Sequence, residues 1–528
     1  MTRWAFVADL NRCVGCQTCT AACKHANATG PWVQWRKVLD FECGEYPDVS
    51  RAFVPVGCMH CDHPSCMEVC PTTATRKRDD GIVTIDYDTC IGCTYCIQAC
   101  PYQARFKVDK PNEAYGAGTQ MGHELKRESF ARRGVAQKCT LCADTIDRGI
   151  AQGLTPGVDA AATPACVSSC ISGALQMGDL DDPDSNVSQL LATKQHFRMH
   201  EELGNGPNMY YLYDKKMNDT SVSEAPPMVE DPVGMATLLP QLQTHWDWRA
   251  AGNFAFGGAG SGLMIAAIVG GYFMPVLWLA VFLALALVGT GLFFVWLEIG
   301  RPFRFLNVFR NPKTSWMSRE ALAVLPYFAF GGLAWLIESR ALGLIAAACA
   351  LFFLYAQANV LRTSKAIPAW RQPSIVPLIL TTGLVEGAGL LVLLAFASGQ
   401  PVISEVGLVL AGLIAVRFAA WKKYRAELGR VGAPTKTFEV INATSVMSIT
   451  LQSVLLLLSI YGALGLGGHT LALAIAGLGA IFSGWMFKFI LVTKAAYNQG
   501  YSINKMPARG AGSSSIGVQP GWQKEQAS

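Results

Sequence analysis

Sixteen of the eighteen cysteines fall in four spaced sets within the first 170 residues, and no ordinary apolar core calls for them. The sets are Cys13, Cys16, Cys19, Cys23; Cys58, Cys61, Cys66, Cys70; Cys90, Cys93, Cys96, Cys100; and Cys139, Cys142, Cys166, Cys170. The first and third are C-x2-C-x2-C-x3-C runs, the second widens one gap to four residues, and the fourth inserts 23 residues before its closing C-x3-C. Three thiolates two residues apart can wrap one iron–sulfur cubane. A fourth, three residues on, starts a helix pointing away and reaches a neighbouring cluster. The pattern therefore predicts four [4Fe–4S] clusters in two pairs.

Zinc and disulfides are the competing explanations. Zinc sites come as two separated pairs around a tetrahedron, and a tight run of four cysteines does not suit that geometry. Disulfides need an oxidising compartment, yet the opening MTRWAFVADLN has no apolar signal core. Pro101 and Pro71 follow the third and second sets as in bacterial ferredoxins, whereas Lys24 and Ile171 follow the other two.

The chain has 528 residues, too many for one ordinary domain, and its composition divides. The first 220 residues are polar and charged, whereas from Asn253 onward Leu, Ala, Val, Phe and Gly dominate. Between them runs a connector from Asp214 to Pro240, rich in Pro, Glu, Ser and Asp, which reads as an extended tether. The expected organisation is an α+β ferredoxin-like four-cluster domain over 1–215, a linker over 216–240, an all-α membrane anchor of eight transmembrane helices over 241–498, and a cytoplasmic tail over 499–528. The net charge of +5 is spread over membrane-flanking positions and does not point to nucleic acid.

Eight apolar stretches are long enough to cross a bilayer: 253–273, 276–297, 320–337, 341–361, 375–397, 402–421, 443–466 and 470–492. The loops after the second, fourth and sixth hold thirteen Lys and Arg residues, while the four loops on the other side hold Arg340 alone. By the positive-inside rule both termini and the cysteine-rich domain face the cytoplasm. None of the spans contains a histidine, since His245 precedes the first and His469 lies in the last loop. A bis-histidine haem is therefore not expected, and a lipid-soluble quinone is the natural electron acceptor. Glu386, near the middle of the fifth span, is expected to serve a proton path or a buried pair. Lys488 and Arg417 are expected to snorkel to the cytoplasmic face. Gly257, Gly258, Gly260 and Gly262 give the first span a small-residue face for close packing. Of the leftover cysteines, Cys43 reads as a buried or idle thiol and Cys349 as packing. Neither G-x-x-x-x-G-K nor a strand-to-helix G-x-G-x-x-G occurs, so nothing points to a nucleotide as electron donor.

Residues 1–215 resemble the four-cluster electron-transfer subunit of complex iron–sulfur molybdoenzymes, the dimethyl sulfoxide reductase family. The likeness rests on the cysteine sets, on the Gly57–Pro64 stretch GCMHCDHP, and on GDLDDPDSNVSQLL from Gly178 to Leu191. Residues 240–510 resemble the eight-helix anchor of the same enzymes through Gly300-Arg301-Pro302, Ser318-Arg319-Glu320 and Tyr497-Asn498-Gln499-Gly500. These are usually separate chains, and here they look fused. The resemblance implies shared ligation: Cys13, Cys16, Cys19 and Cys170 for cluster 1, nearest the catalytic partner, and Cys139, Cys142, Cys166 and Cys23 for cluster 2. It implies Cys58, Cys61, Cys66 and Cys100 for cluster 3, and Cys90, Cys93, Cys96 and Cys70 for cluster 4, nearest the membrane. Some relatives lack the second cysteine of that last motif and carry three irons; Cys93 implies four.

Related anchors place a quinone-associated histidine where Glu298 stands, so His245, Glu298, Arg301 and Glu320 are the quinone-site candidates. Pinning helix ends at the headgroups is the competing role for these charges. The resemblance implies an electron-transfer and anchor subunit that joins a molybdopterin catalytic chain to the quinone pool. Its topology best suits a cytoplasm-facing sulfite dehydrogenase. The alternatives are a dimethyl sulfoxide, polysulfide or thiosulfate reductase running the other way, or a stand-alone ferredoxin:quinone oxidoreductase.

Overall fold

The computed structural model describes residues 2–43, 50–109, 132–213, 238–272, 275–400, 404–503 and 519–523. Most of the connector, residues 214–237, lies outside them. The chain forms two compact units, Met1–Gln241 with Gln499–Trp522, and Leu242–Asn498 with Gln523–Ser528.

The first unit begins with β1 (Trp4–Asp9), α1 (Thr18–Asn27) and the ribbon β2 (Arg36–Cys43) with β3 (Ser50–Gly57). There follow α2 (Ser65–Glu68), β4 (Thr75–Lys77), β5 (Val83–Ile85), α3 (Tyr95–Gln98), β6 (Arg105–Lys107) and β7 (Ala136–Lys138). The remainder is α4 (Ala143–Ala151), α5 (Ala165–Ser168), β8 (Leu175–Asp179), α6 (Asn186–Thr193), β9 (His196–Phe197) and β10 (Met209–Leu212). The central sheet has the order β8-β1-β10-β9. Strand β1 is buried along its whole length, which its unbroken apolar run WAFVA requires. It pairs parallel with β10 and antiparallel with β8. The ribbons β2–β3, β4–β5 and β6–β7 are antiparallel pairs. In the GDLDDPDSNVSQLL stretch, Ser185 caps α6 by accepting from the Ser188 amide at 3.2 Å.

The first residues of the tail, 499–503, do not stand apart from this unit. Gln499 Nε2 donates to the Pro101 carbonyl and Tyr501 Oη to that of Tyr102, each at 3.3 Å, and the Tyr501 ring is fully buried. An extended segment can satisfy its backbone and bury an aromatic ring only against a folded surface.

Among the described residues the second unit holds eight long helices: α7 (Trp248–Gly270), α8 (Trp278–Glu298), α9 (Trp316–Ile337), α10 (Arg340–Arg362), α11 (Ile375–Ala397), α12 (Ser404–Val431), α13 (Thr435–Ala463) and α14 (His469–Thr493). Seven of these are long and apolar enough to cross a membrane; α12, whose second half is charged, is not among them. Helices α12 and α13 run on through the basic loop expected between the sixth and seventh spans. They part over Gly432, Ala433 and Pro434, and the φ of 83° at Gly432 lets the chain reverse.

Helix α7 is the hub. Its apolar window is 72% buried, against 28% for α8 and α9. Small residues let the backbones meet: a Cβ on Gly262 would lie 1.9 Å from the Gly383 carbonyl oxygen of α11. Outside, Leu336, Phe352, Leu457, Leu478 and Phe482 are exposed, as lipid-facing side chains are.

Candidate functional site

In every cysteine set the third member sits in a short helix and the fourth follows one turn later. The pairs are Cys19 and Cys23 in α1, Cys66 and Cys70 at α2, Cys96 and Cys100 at α3, and Cys166 and Cys170 at α5. In the last three sets the fourth cysteine follows its helix rather than opening one, whereas Cys23 lies inside α1. One turn advances the chain by about 5.4 Å, so it carries the fourth sulfur away from the other three.

Tertiary structure then regroups them. Cys19 is within electrostatic reach of Cys170 and Cys16. Cys23 faces Cys139, Cys166 and Cys142. Cys61 faces Cys58, Cys66 and Cys100, and Cys93 faces Cys96, Cys70 and Cys90. All sixteen are free thiols. Burial pushes Cys96, Cys100 and Cys166 up to about 12. Burial alone would also raise Cys58, but the charges of His60 and Lys138 override it and hold that thiol well below its ordinary value. Among the described residues no three His, Cys, Asp or Glu side chains are close enough to hold a single metal ion. A cubane asks for something else: four thiolates spread over the corners of a cluster.

The surroundings suit such a group. Asn27 Nδ2 reaches Cys23 Sγ at 3.7 Å and Cys142 Sγ at 3.8 Å, bridging two members of one group. The Leu141 and Leu175 amides donate to Cys139 and Cys170 sulfurs at 3.3 and 3.4 Å. Most telling is Arg36, 1% exposed, whose Nε and Nη2 have no hydrogen-bond acceptor among the described residues. Polypeptide rarely leaves a buried guanidinium so, and an absent anionic group accounts for it. Neither Arg36 nor the two buried cations like it, Lys138 and Arg105, stood out in the sequence. Lys138 directly before Cys139 and Arg105 shortly after Cys100 were legible signals, whereas Arg36 was not.

In the helical unit, Glu320 is buried between α7 and α10. Asn253 Nδ2 donates to its Oε1 at 3.5 Å, and Gln357 Nε2 donates to the Asn253 carbonyl at 3.2 Å. The other quinone candidates lie elsewhere: Glu298 ends α8, Arg301 follows it, and His245 precedes α7. Arg249 ties these helix ends together by donating to the Leu297 carbonyl at 2.7 Å. A groove of about 550 Å³ opens between α7, α8 and α14, walled by Trp248, Phe256, Phe294, Phe482, Trp485 and Phe489. Trp485 Nε1 has no hydrogen-bond partner among the described residues.

Lys488 and Arg417 do not snorkel. Lys488 Nζ donates to Glu386 Oε2 at 2.6 Å, with the two side chains 1% and 0% exposed. Arg417 Nη1 donates to Ser483 Oγ at 3.0 Å. Glu386 offers a counter-charge within the bundle, and Gly258 and Gly484 leave room for the pair, since a Cβ at either would fall 2.2 Å from Lys488 Nζ or Glu386 Oε1.

Comparison with known proteins agrees with this division. Residues 49–116 match the 4Fe-4S dicluster domain, and residues 274–420 match the DMSO reductase anchor subunit (DmsC). A subunit of the selenate reductase of Mesobacillus selenatarsenatis is 40% identical over 226 residues, 40% of this chain and 72% of that protein. A subunit of the sulfite dehydrogenase of Allochromatium vinosum is 36% identical over 233 residues, 41% and 85% of the two chains. The menaquinone reductase iron–sulfur cluster-binding subunit of Nitratidesulfovibrio vulgaris is 35% identical over 228 residues, 40% and 88%. The chain belongs to the iron–sulfur subunits of molybdoenzyme complexes. As a molybdoenzyme iron–sulfur subunit it differs from a bare one by carrying its anchor in the same polypeptide, so it is at once the electron-transfer part and the multi-pass membrane part of its complex.

Proposed function

We propose that this chain passes electrons from a cytoplasmic molybdopterin subunit that oxidises sulfite, through four [4Fe–4S] clusters, to membrane quinone. Each cluster takes the ligand set expected above. The observation that carries the four-site reading is the regrouping of the cysteines, in which the last thiol of one run meets three of another. Bound clusters would supply one-electron carriers between a two-electron substrate and a two-electron acceptor. The polypeptide's part is to hold sixteen thiols in register, to supply amide and Asn27 donors to their sulfurs, and to keep water away by burying most of them.

The quinone reading is supported by the aromatic groove, whose apolar walls suit a flat lipid-soluble ring. Glu320 is the candidate proton-handling group. His245, Glu298 and Arg301 remain candidates at the helix ends bordering α7. The cytoplasmic orientation rests on the thirteen-to-one basic asymmetry of the loops, and sulfite on that orientation together with the likeness to the sulfite dehydrogenase chain. The reverse direction, quinol to an oxyanion reductase, is favoured by the 40% identity to the selenate reductase chain. Isolated membranes decide between them. Sulfite-dependent quinone reduction with a co-purifying molybdenum chain supports the first. Quinol oxidation by selenate or a related oxyanion, without sulfite activity, supports the second. Repeated purification with no molybdenum chain refutes both.

A further inference from the structure

Three buried cations stand out in the cysteine-rich unit: Arg36 and Arg105 each reach thiols of two groups, and Lys138 bonds the backbone of a cysteine in one group while its charge reaches thiols of another. Arg36 opens β2 and lies within electrostatic reach of Cys19, of the Cys19–Cys170 group, and of Cys166, Cys139 and Cys23, of the next. Its other neighbours are neutral: Met209 Sδ at 3.3 Å and the Phe6 ring at 4.6 Å. Room for it comes from Gly57, where a Cβ would crowd the Trp35 carbonyl at 2.7 Å and Arg36 Nη1 at 3.3 Å. Lys138, also 1% exposed, ends β7. Its Nζ donates to the Cys139 carbonyl at 2.6 Å and to the Val83 carbonyl, and its charge reaches Cys58 and Cys66 of the following group. Arg105 opens β6, 4% exposed, and its Nη2 donates to Cys66 Sγ at 2.9 Å while Nη1 donates to Thr75 Oγ1 at 3.1 Å. Its charge reaches Cys66, Cys100 and Cys58 of one group and Cys96 of the last.

The three therefore alternate with the four groups in order. Arg36 stands between the first and second, Lys138 between the second and third, and Arg105 between the third and fourth. A fixed positive charge in a poorly solvated interior favours the more negative partner of a redox pair, which for an iron–sulfur group is the reduced form. A cation shared by two neighbours raises both, so it holds their potentials up together instead of opening a step between them.

We propose that Arg36, Lys138 and Arg105 are junction cations, one between each successive pair of cluster sites, that position the reduction potentials of neighbouring sites for stepwise electron passage. The proposal rests on the four-site ligand reading above. These are positioning residues, since the electron resides on the metal groups and not on them.

The test is a potentiometric titration of the anaerobically purified complex, followed by electron paramagnetic resonance, with iron counted on the same samples. Arg36→Gln is expected to lower the potentials of two centres, and Arg105→Gln those of the other two, at unchanged iron content. Lys138→Met is expected to lower one centre from each of those pairs. Arg36→Lys, which keeps the charge, is expected to move them less than Arg36→Gln does. Where one neutral variant fails to assemble, the other two carry the same pattern. Potentials unmoved at full iron, or all four moving together, overturn the proposal and leave the four-site reading intact. Wild-type complex holding far fewer than about sixteen irons, four for each site, would instead overturn that reading.

Discussion

The Glu386–Lys488 pair makes a prediction whose sign is as informative as its size. With Glu386 ionised and both bases protonated, the buried site holds one negative charge and two positive ones, because Arg417 is within electrostatic reach of both partners. Glu386→Gln raises the net charge from +1 to +2, leaving Lys488 and Arg417 facing each other without a carboxylate. Breaking a buried pair in this way costs about 3–5 kcal/mol. Lys488→Met lowers the net charge to zero, and Arg417 remains as a counter-ion, so its cost should be smaller, roughly 1–2 kcal/mol. In the Glu386→Gln background, Lys488→Met relieves repulsion and should therefore stabilise the protein. The pair's coupling in a double-mutant cycle should reach about 2 kcal/mol or more. The assay is unfolding of the purified complex in nanodiscs by titrated sodium dodecyl sulfate, followed by helical ellipticity. If Lys488→Met costs the same with and without Glu386, the pair has no coupling and the reasoning fails.

Glu320→Gln should cut quinone-linked turnover by about tenfold or more, as loss of a positioned proton-handling group does, while dithionite still reduces the iron–sulfur centres fully. Undiminished turnover would remove Glu320 from the quinone site. Iron loading of the apoprotein should grow more favourable as pH rises. The Cys96, Cys100 and Cys166 thiols sit at about 12 before metal binds, and every thiol must lose its proton on ligation; proton release measured during reconstitution checks this, and pH-independent loading would contradict it. Gly262→Val should cost at least about 1–3 kcal/mol and loosen α7 from α11, because its side chain would begin inside the Gly383 carbonyl; yield and melting temperature in detergent report it. Protease added outside intact cells should spare the cysteine-rich half, and its digestion there would reverse the proposed orientation.

How much of this was legible in the sequence differs between the two units. Cysteine spacing and hydropathy are local, so they revealed a cluster-binding half, a helical half and all eight helices to within a few residues, apart from the basic loop, where α12 and α13 run on. Loop charges can bias orientation for the same reason. Which thiols meet is not local. Cys23 comes to Cys139, Cys142 and Cys166 only because the sheet β8-β1-β10-β9 and its ribbons bring distant runs together.

The same limit explains the misjudged and missed charges. Lys488 and Arg417 read as snorkelling because a sequence shows the apolar stretch around a base but not the carboxylate on a neighbouring helix. Arg36 looked like an ordinary strand residue, since nothing near it in the chain announces burial beneath thiols of two groups. The residue string by itself determined the chemistry this chain can perform, because ligand type and hydrophobic length are carried by neighbours along the backbone. Tertiary structure decided where charge lies relative to that chemistry, because an electrostatic partner is chosen by distance in space and not by position in the chain.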